Sequence, residues 1–240
     1  TAPNGNESWK VNTSQYITWA SDAITLVNVT YSLDNGGNWT SLGLFNASNG
    51  TTTWNIANDT TVSNAALVKI YDNSNPNVVN DTSNSTFNVI GVFDVVRPES
   101  GDPVYAEESY TINWTKEGTG INNVILQYST DAGGNWSYVN PAGNNTVPNT
   151  GEYIWSVPAG PLSETCKLKI TDPGNANATN LSSGSYYIRG KLQVTMPNGG
   201  QNWQIYDTQA INWTKKGNLT NVNIKYSSDN GGNWTVIGAN

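Results

Sequence analysis

Apolar and polar residues alternate in short runs along this chain, and each run stops at a cluster of Asn, Asp, Gly or Pro. Residues 29–42, VTYSLDNGGNWTSL, carry the pattern in one stretch. Val29 and Tyr31 alternate with polar neighbours and DNGG breaks the run; Trp39 and Ser41 then face one way, Asn38 and Thr40 the other. Period-two alternation marks a half-buried strand. Gly36 and Gly37 take positive φ without steric cost, while Asp34 and Asn35 tolerate turns and bond their own backbone. The stretch therefore predicts a β-hairpin whose Trp folds back over the turn. QYITWA, VNVTYSL, NWTSLGL, TTTWNI, LVKIYD and STFNVI form six strand candidates behind an N-terminal one. Helix signals are nearly absent. The expected fold is all-β, an antiparallel sandwich of roughly a hundred residues.

The hairpin string recurs as STDAGGNW at 129–136 and SSDNGGNW at 227–234. Aligning the three copies aligns Pro3, Pro98 and Pro197; Trp19, Trp114 and Trp213; Trp54 and Trp155; Ile70 and Ile170; and Phe87 and Tyr186. An interval of roughly a hundred residues means tandem domains, not a short-repeat solenoid. The expected units are 1–91, 92–190 and 191–240, with the third an N-terminal half only. The linkers VIGVFDV and YIRGKLQV are short and apolar, which predicts a stiff end-to-end chain. Half a sandwich leaves an apolar face and open sheet edges. Either the chain is a piece of a longer repeat protein, as its start at Thr1 without Met would suit, or another chain supplies the missing strands.

Composition narrows the chemistry. Charged residues are 12% of the chain and the net charge is −7, so nucleic acid and anionic membranes are poor partners. No apolar run is long enough to span a bilayer. With no His and one Cys, neither a Ser-His-Asp nor a Cys-His system nor the usual zinc site can form, and Cys166 has no partner for an internal disulfide. Cys166 alternates with Leu168 and Ile170, which reads as a buried small hydrophobe. The acidic neighbours Glu107/Glu108 and Asp94/Glu99 read as solvated turn carboxylates rather than a general acid and base. DNSNPN at 72–77 lacks the calcium-loop register. No metal and no cofactor is expected. Most of the ten Trp fall at core-type positions, whereas Trp9 and Trp203, in Gly/Asn-rich surroundings, are expected to be exposed.

The spacing Ser-x-Asp-x-Gly-x-x-Trp resembles the Asp-box hairpin of sialidase propellers and other secreted proteins. The matching residues are Ser32, Asp34, Gly36 and Trp39; Ser129, Asp131, Gly133 and Trp136; and Ser227, Asp229, Gly231 and Trp234. The resemblance implies a structural hairpin away from any active site, and the interval is too long for one motif per propeller blade. PNGGQNWQ at 197–204 and GEYIWSVPAG at 151–160 resemble the immunoglobulin-like tandem repeats of secreted and surface proteins of bacteria and archaea, and more loosely a fungal cell-wall domain. Copy one departs from that pattern at TTTWNIAND and at Ala66, near where Cys166 stands in copy two. The resemblance implies exposure at the cell surface and an architecture, not one activity.

Asn-x-Ser/Thr acceptors are the other dense signal. They fall at Asn6, Asn12, Asn28, Asn38, Asn46, Asn49, Asn58, Asn80, Asn84, Asn113, Asn135, Asn144, Asn177, Asn180, Asn212, Asn218 and Asn233. These 17 compare with about seven expected by chance from 37 Asn and 48 Ser plus Thr. Core-facing Ile112 and Trp114 put Asn113 outward, and the same alternation puts Asn212, Asn38, Asn135 and Asn233 outward, where a glycan fits. The expected function is a non-enzymatic structural segment of an extracellular filament, sheath or surface layer. Its expected partners are N-linked glycans and further copies of itself. The alternative is a carbohydrate-binding or adhesin module, accessory to a secreted hydrolase.

Overall fold

The computed structural model describes residues 2–239. The first copy contains β1 (Ser8–Lys10), β2 (Thr13–Thr18), β3 (Leu26–Ser32), β4 (Thr40–Asn46), β5 (Thr51–Ile56), β6 (Ser63–Asp72), β7 (Asn80–Thr82) and β8 (Phe87–Ile90). β1-β8-β6-β3-β4 form one sheet, with β7 beside β6, and β2-β5 form the other. The six apolar runs all became strands. β7, reading Asn-Asp-Thr, has no apolar alternation to betray it and was not expected.

The second copy contains β9 (Val92–Arg97), β10 (Pro103–Tyr105), β11 (Ser109–Glu117), β12 (Asn123–Ser129), β13 (Ser137–Tyr138), β14 (Val147–Pro148), β15 (Glu152–Ser156), β16 (Ser163–Asp172), β17 (Asn175–Leu181) and β18 (Tyr186–Arg189). Its sheets run β10-β18-β16-β12-β13 and β15-β11-β9, with β14 beside β12 and β17 beside β16. Each of these two copies is a two-sheet sandwich with the strand order of an immunoglobulin-like domain. One pairing in each copy is not antiparallel: β1 lies parallel to β8, and β10 to β18. The leading segment leaves the sheet of β2 or β11, crosses to the other sheet, and there runs in the same direction as the last strand.

The cores follow from the alternation. In copy one Trp54 stacks on Tyr31 at 4.3 Å between ring centroids and meets Phe87 edge-on at 6.5 Å. In copy two Trp155, Leu126, Leu168, Ile170, Tyr186 and Cys166 are fully buried. The indole N–H groups of Trp19 and Trp114 donate to Ala47 O and Asn149 Oδ1, both at 2.9 Å, so burial leaves neither unpaired. Trp9 contradicts the expectation of exposure. It is 8% exposed and sits 4.8 Å from Phe87, because β1 pairs with β8 and aims Trp9 between the sheets.

The third copy has β19 (Lys191–Met196) paired with β20 (Asn212–Lys216), and β21 (Asn223–Tyr226) paired with β22 (Thr235–Ala239). The sandwich is incomplete. Trp213 is 40% exposed where its counterpart Trp114 is 4% exposed. Trp203 is exposed as expected, but its counterparts Trp9 and Val104 are buried against a last strand that has no counterpart among residues 191–239.

Candidate functional site

The three hairpins are built alike. Ser129 Oγ donates to Asp131 Oδ1 at 2.7 Å and accepts the Gly133 N–H at 2.8 Å; the Asn135 N–H donates to Asp131 Oδ1 at 2.8 Å and its Nδ2 to Asp131 Oδ2 at 2.6 Å. Ser32, Asp34, Gly36 and Asn38 repeat this set, as do Ser227, Asp229, Gly231 and Asn233. All three carboxyls are held at about 2. For Asp34 the Asn38 backbone N–H is the largest cause; for Asp131 and Asp229 it is the Ser129 or Ser227 hydroxyl. The glycines differ from the expectation. The first takes positive φ (+87° at Gly36), and so does Asn35 (+57°) before it, but Gly37 does not. A Cβ on Gly37 would stand 3.0 Å from Asp34 Oδ2, so the second glycine admits the carboxylate. The Trp folds over the turn, and a Cβ on Gly36 would lie 3.4 Å from the Trp39 ring.

None of the acceptor asparagines is buried: Asn28, Asn113 and Asn180 are half-buried and Asn6, Asn12, Asn38, Asn46, Asn49, Asn58, Asn80, Asn84, Asn135, Asn144, Asn177, Asn212, Asn218 and Asn233 are exposed. Exposure alone does not free the amide. Besides the hairpin set, the Asn12 amide donates to Glu117 Oε1 at 3.1 Å, that of Asn177 to Ser8 Oγ at 3.1 Å, and that of Asn80 to Pro76 O at 3.2 Å. The first two cross from one copy to the next.

Sequence reasoning placed the joints between copies at VIGVFDV and YIRGKLQV but missed how their glycines pack. Gly91 alone separates β8 from β9. A Cβ there would stand 2.6 Å from Ile121 Cδ1, and one on Gly118 would stand 3.0 Å from Val62 Cγ1 and 3.3 Å from Gly91 Cα. Gly190 alone separates β18 from β19. A Cβ there would stand 2.8 Å from Lys216 O, and one on Gly217 would stand 3.2 Å from both Gly190 Cα and Leu162 Cδ2. Each joint thus presses one glycine on another over a short apolar contact. Backbone bonds stitch both: Gly118 N to Asn58 O at 2.7 Å in the first, and Asn218 N to Ala159 O at 2.6 Å in the second. Glu107 and Glu108 lie in the turn as expected, Glu107 exposed and Glu108 half-buried, but both carboxylates have partners at the joint. Glu107 accepts the Gly217 N–H at 2.6 Å, and Glu108 pairs with Lys191 at 2.7 Å and Lys216 at 2.8 Å, which holds its carboxyl below the usual range. The signal available in the sequence was the glycine pair itself, recurring at the same offset from Trp114 and Trp213.

Among the described residues, no group of three His, Cys, Asp or Glu is placed to hold a metal ion, and no helix is long and apolar enough to cross a membrane. The sheet order and joints define a tandem immunoglobulin-like β-sandwich protein. No protein-family model and no curated protein matches the chain. Among solved structures it is similar to the fibronectin(III)-like modules of Clostridium thermocellum CbhA, at 16% identity and TM-score 0.27 over 78% of this chain and 90% of that one. It is also similar to the teleost fish polymeric Ig receptor ectodomain, at 12% identity and TM-score 0.31 over 77% and 94%. The N-terminal four Ig domains of Dscam1 isoform 7.44 match at 11% identity and TM-score 0.36, over 79% of this chain but 44% of that one; the chain spans less than half of that segment.

Proposed function

We propose that this chain is a non-enzymatic structural segment of an extracellular filament, sheath or surface layer, N-glycosylated and self-associating, with units at 1–91, 92–190 and 191–240. The observation that supports it most is the repeated joint. Single-glycine connections with equivalent packing and backbone bonds on both sides suit a protein whose task is to hold length and direction. The exposed acceptors support the glycan part, and a surface poor in charge gains hydration from sugars. The Ser-Asp-Gly-Trp hairpins act in this reading as folding devices, one per sandwich. Electron microscopy of the native material, with intact mass before and after deglycosylation, tests the reading. Extended arrays and a mass falling by several glycans are expected; dispersed monomers at high concentration with unmodified peptides at every acceptor would overturn it.

A further inference from the structure

The outer face of copy one sets sugar acceptors beside exposed leucines. In β3, Val27 and Val29 pack into the core, so Leu26 and Asn28 face outward. Pairing register puts Leu44 of β4 on one side of Asn28 and Tyr71 of β6 on the other. Leu26 lies opposite Asn46, a second acceptor. Directly opposite residues stand about 4.5–5.5 Å apart at Cβ. Asn28 is therefore within one side chain's reach of Leu44, which is 52% exposed, and lies two residues from Leu26, which is 37% exposed. Copy two carries Asn123 and Ile125 at the positions of Leu26 and Asn28, so the acceptor and its leucine leave the face together.

Asn28 also differs from the hairpin acceptors in the state of its amide. Ser41 Oγ donates to Asn28 Oδ1 at 2.7 Å, which restrains the carboxamide by its oxygen. Among the described residues nothing accepts from Asn28 Nδ2, whereas Asn38 and Asn135 spend Nδ2 on an aspartate. A half-buried amide in the middle of a sheet, anchored by oxygen and free at nitrogen, holds whatever the nitrogen carries against that sheet.

We infer that Asn28 is a modification site and that the first sugars of its N-linked glycan lie on the outer face of β3 and β4, over Leu26 and Leu44. The inference rests on the glycan part of the proposed function and gives one glycan a structural role. Pyranose rings present C–H faces that cover apolar side chains while their hydroxyls stay in water. The sugar comes from a lipid-phosphate-linked oligosaccharide. Nδ2 bonds to the anomeric carbon as that carbon's bond to the phosphate oxygen breaks; the electron pair leaves with the phosphate, and Nδ2 gives up one proton and keeps the other. Thr30, whose hydroxyl completes the acceptor triplet, is 5% exposed and donates to Lys69 O at 3.0 Å. The sugar therefore joins before β3 pairs with β6.

The test compares the full chain made in a host with N-glycosylation and in one without. Glycopeptide mass spectrometry should find sugar at Asn28. Asn28→Gln should lower the melting temperature of the glycosylated chain by about 2–4 °C and leave the unglycosylated chain unchanged. Asn84→Gln, at an exposed acceptor between β7 and β8, should change neither. Leu44→Ser, at an exposed position, keeps the fold and should shrink the gap between the glycosylated and unglycosylated chains. Folded, unmodified chain given a transferase and its donor should gain sugar at Asn84 and not at Asn28. Bare Asn28 where other acceptors carry sugar would overturn the inference and leave the proposed function standing. So would equal losses for Asn28→Gln and Asn84→Gln, a loss that persists without sugar, or a gap indifferent to Leu44→Ser. Sugar gained at Asn28 by the folded chain would overturn the order of events. Bare peptides at every acceptor would overturn the glycan reading itself, and this inference with it.

Discussion

Asp131 gathers a hydroxyl, a backbone N–H and a side-chain amide within four residues, and its carboxyl sits at about 2 rather than 3.8. A carboxylate depressed in the folded state adds stability above its unfolded value, and that stability is lost as pH falls through the folded one. With three such hairpins, the melting temperature is expected to fall between pH 3.8 and about 2. Asp131→Asn should flatten part of that limb and leave little difference from the parent below it; an unchanged acid limb in differential scanning calorimetry would refute the assignment. Gly134→Ala is the steric partner of this prediction. Its Cβ would stand 3.0 Å from Asp131 Oδ2, so it should lower the melting temperature at neutral pH through close approach alone, because Gly134, unlike Gly101, does not take positive φ. The motif was legible in the sequence, but the jobs of its residues were not. Positive φ at Asn35 and close approach at Gly37 depend on where the Asp34 carboxylate turns, and spacing does not record that.

Strands were legible where one face is buried and the other wet, because that contrast writes period-two alternation into the chain. Tyr31, Trp54 and Ile112 follow it to the core. β7 escaped because all three of its residues are polar, and the parallel pairing of β1 with β8 escaped because alternation says nothing of a neighbour's direction. Trp9 shows the error most clearly. Local composition around it is Gly/Asn-rich, yet its repeat counterpart Val104 is 0% exposed, and the register outweighs the surroundings. Trp9→Ala should therefore cost about 3–5 kcal/mol, the range for emptying a packed aromatic site. Trp203→Ala, at a position 43% exposed, should stay within about 0.5 kcal/mol. Chemical denaturation followed by far-UV circular dichroism checks both. Comparable losses at the two positions would mean that Trp203, like Trp9, is packed in solution.

The proposed stiffness is a property of the molecule as a whole and would rest on two joints that share a glycine contact but differ in charge. The first is stitched at Gly118 N–Asn58 O and Thr119 N–Thr60 O. The second adds the carboxylate of Glu108 between Lys191 and Lys216, all partly exposed. Exposed ion pairs are screened as the Debye length shrinks from about 8 Å at physiological ionic strength to about 3 Å at 1 M salt. High salt or Glu108→Gln should therefore loosen the second joint and leave the first alone, whereas Gly217→Val should force the second apart at any salt. Its Cβ would fall 3.2 Å from the Gly190 backbone, which has no flexible side chain to yield. Spin-label pairs placed across each joint, with Cys166 protected by complete burial, read this as widths of distance distributions. Narrow distributions are expected at both joints in the parent chain. Glu108→Gln should broaden only the second, and Gly217→Val should broaden and shift it. Broad distributions in the parent would describe beads on a string and would remove the mechanical basis of the proposed filament. A joint that survives Gly217→Val would show that the apolar contact at Leu162 and the backbone bonds, not the glycine approach, set the direction in which one sandwich follows the next.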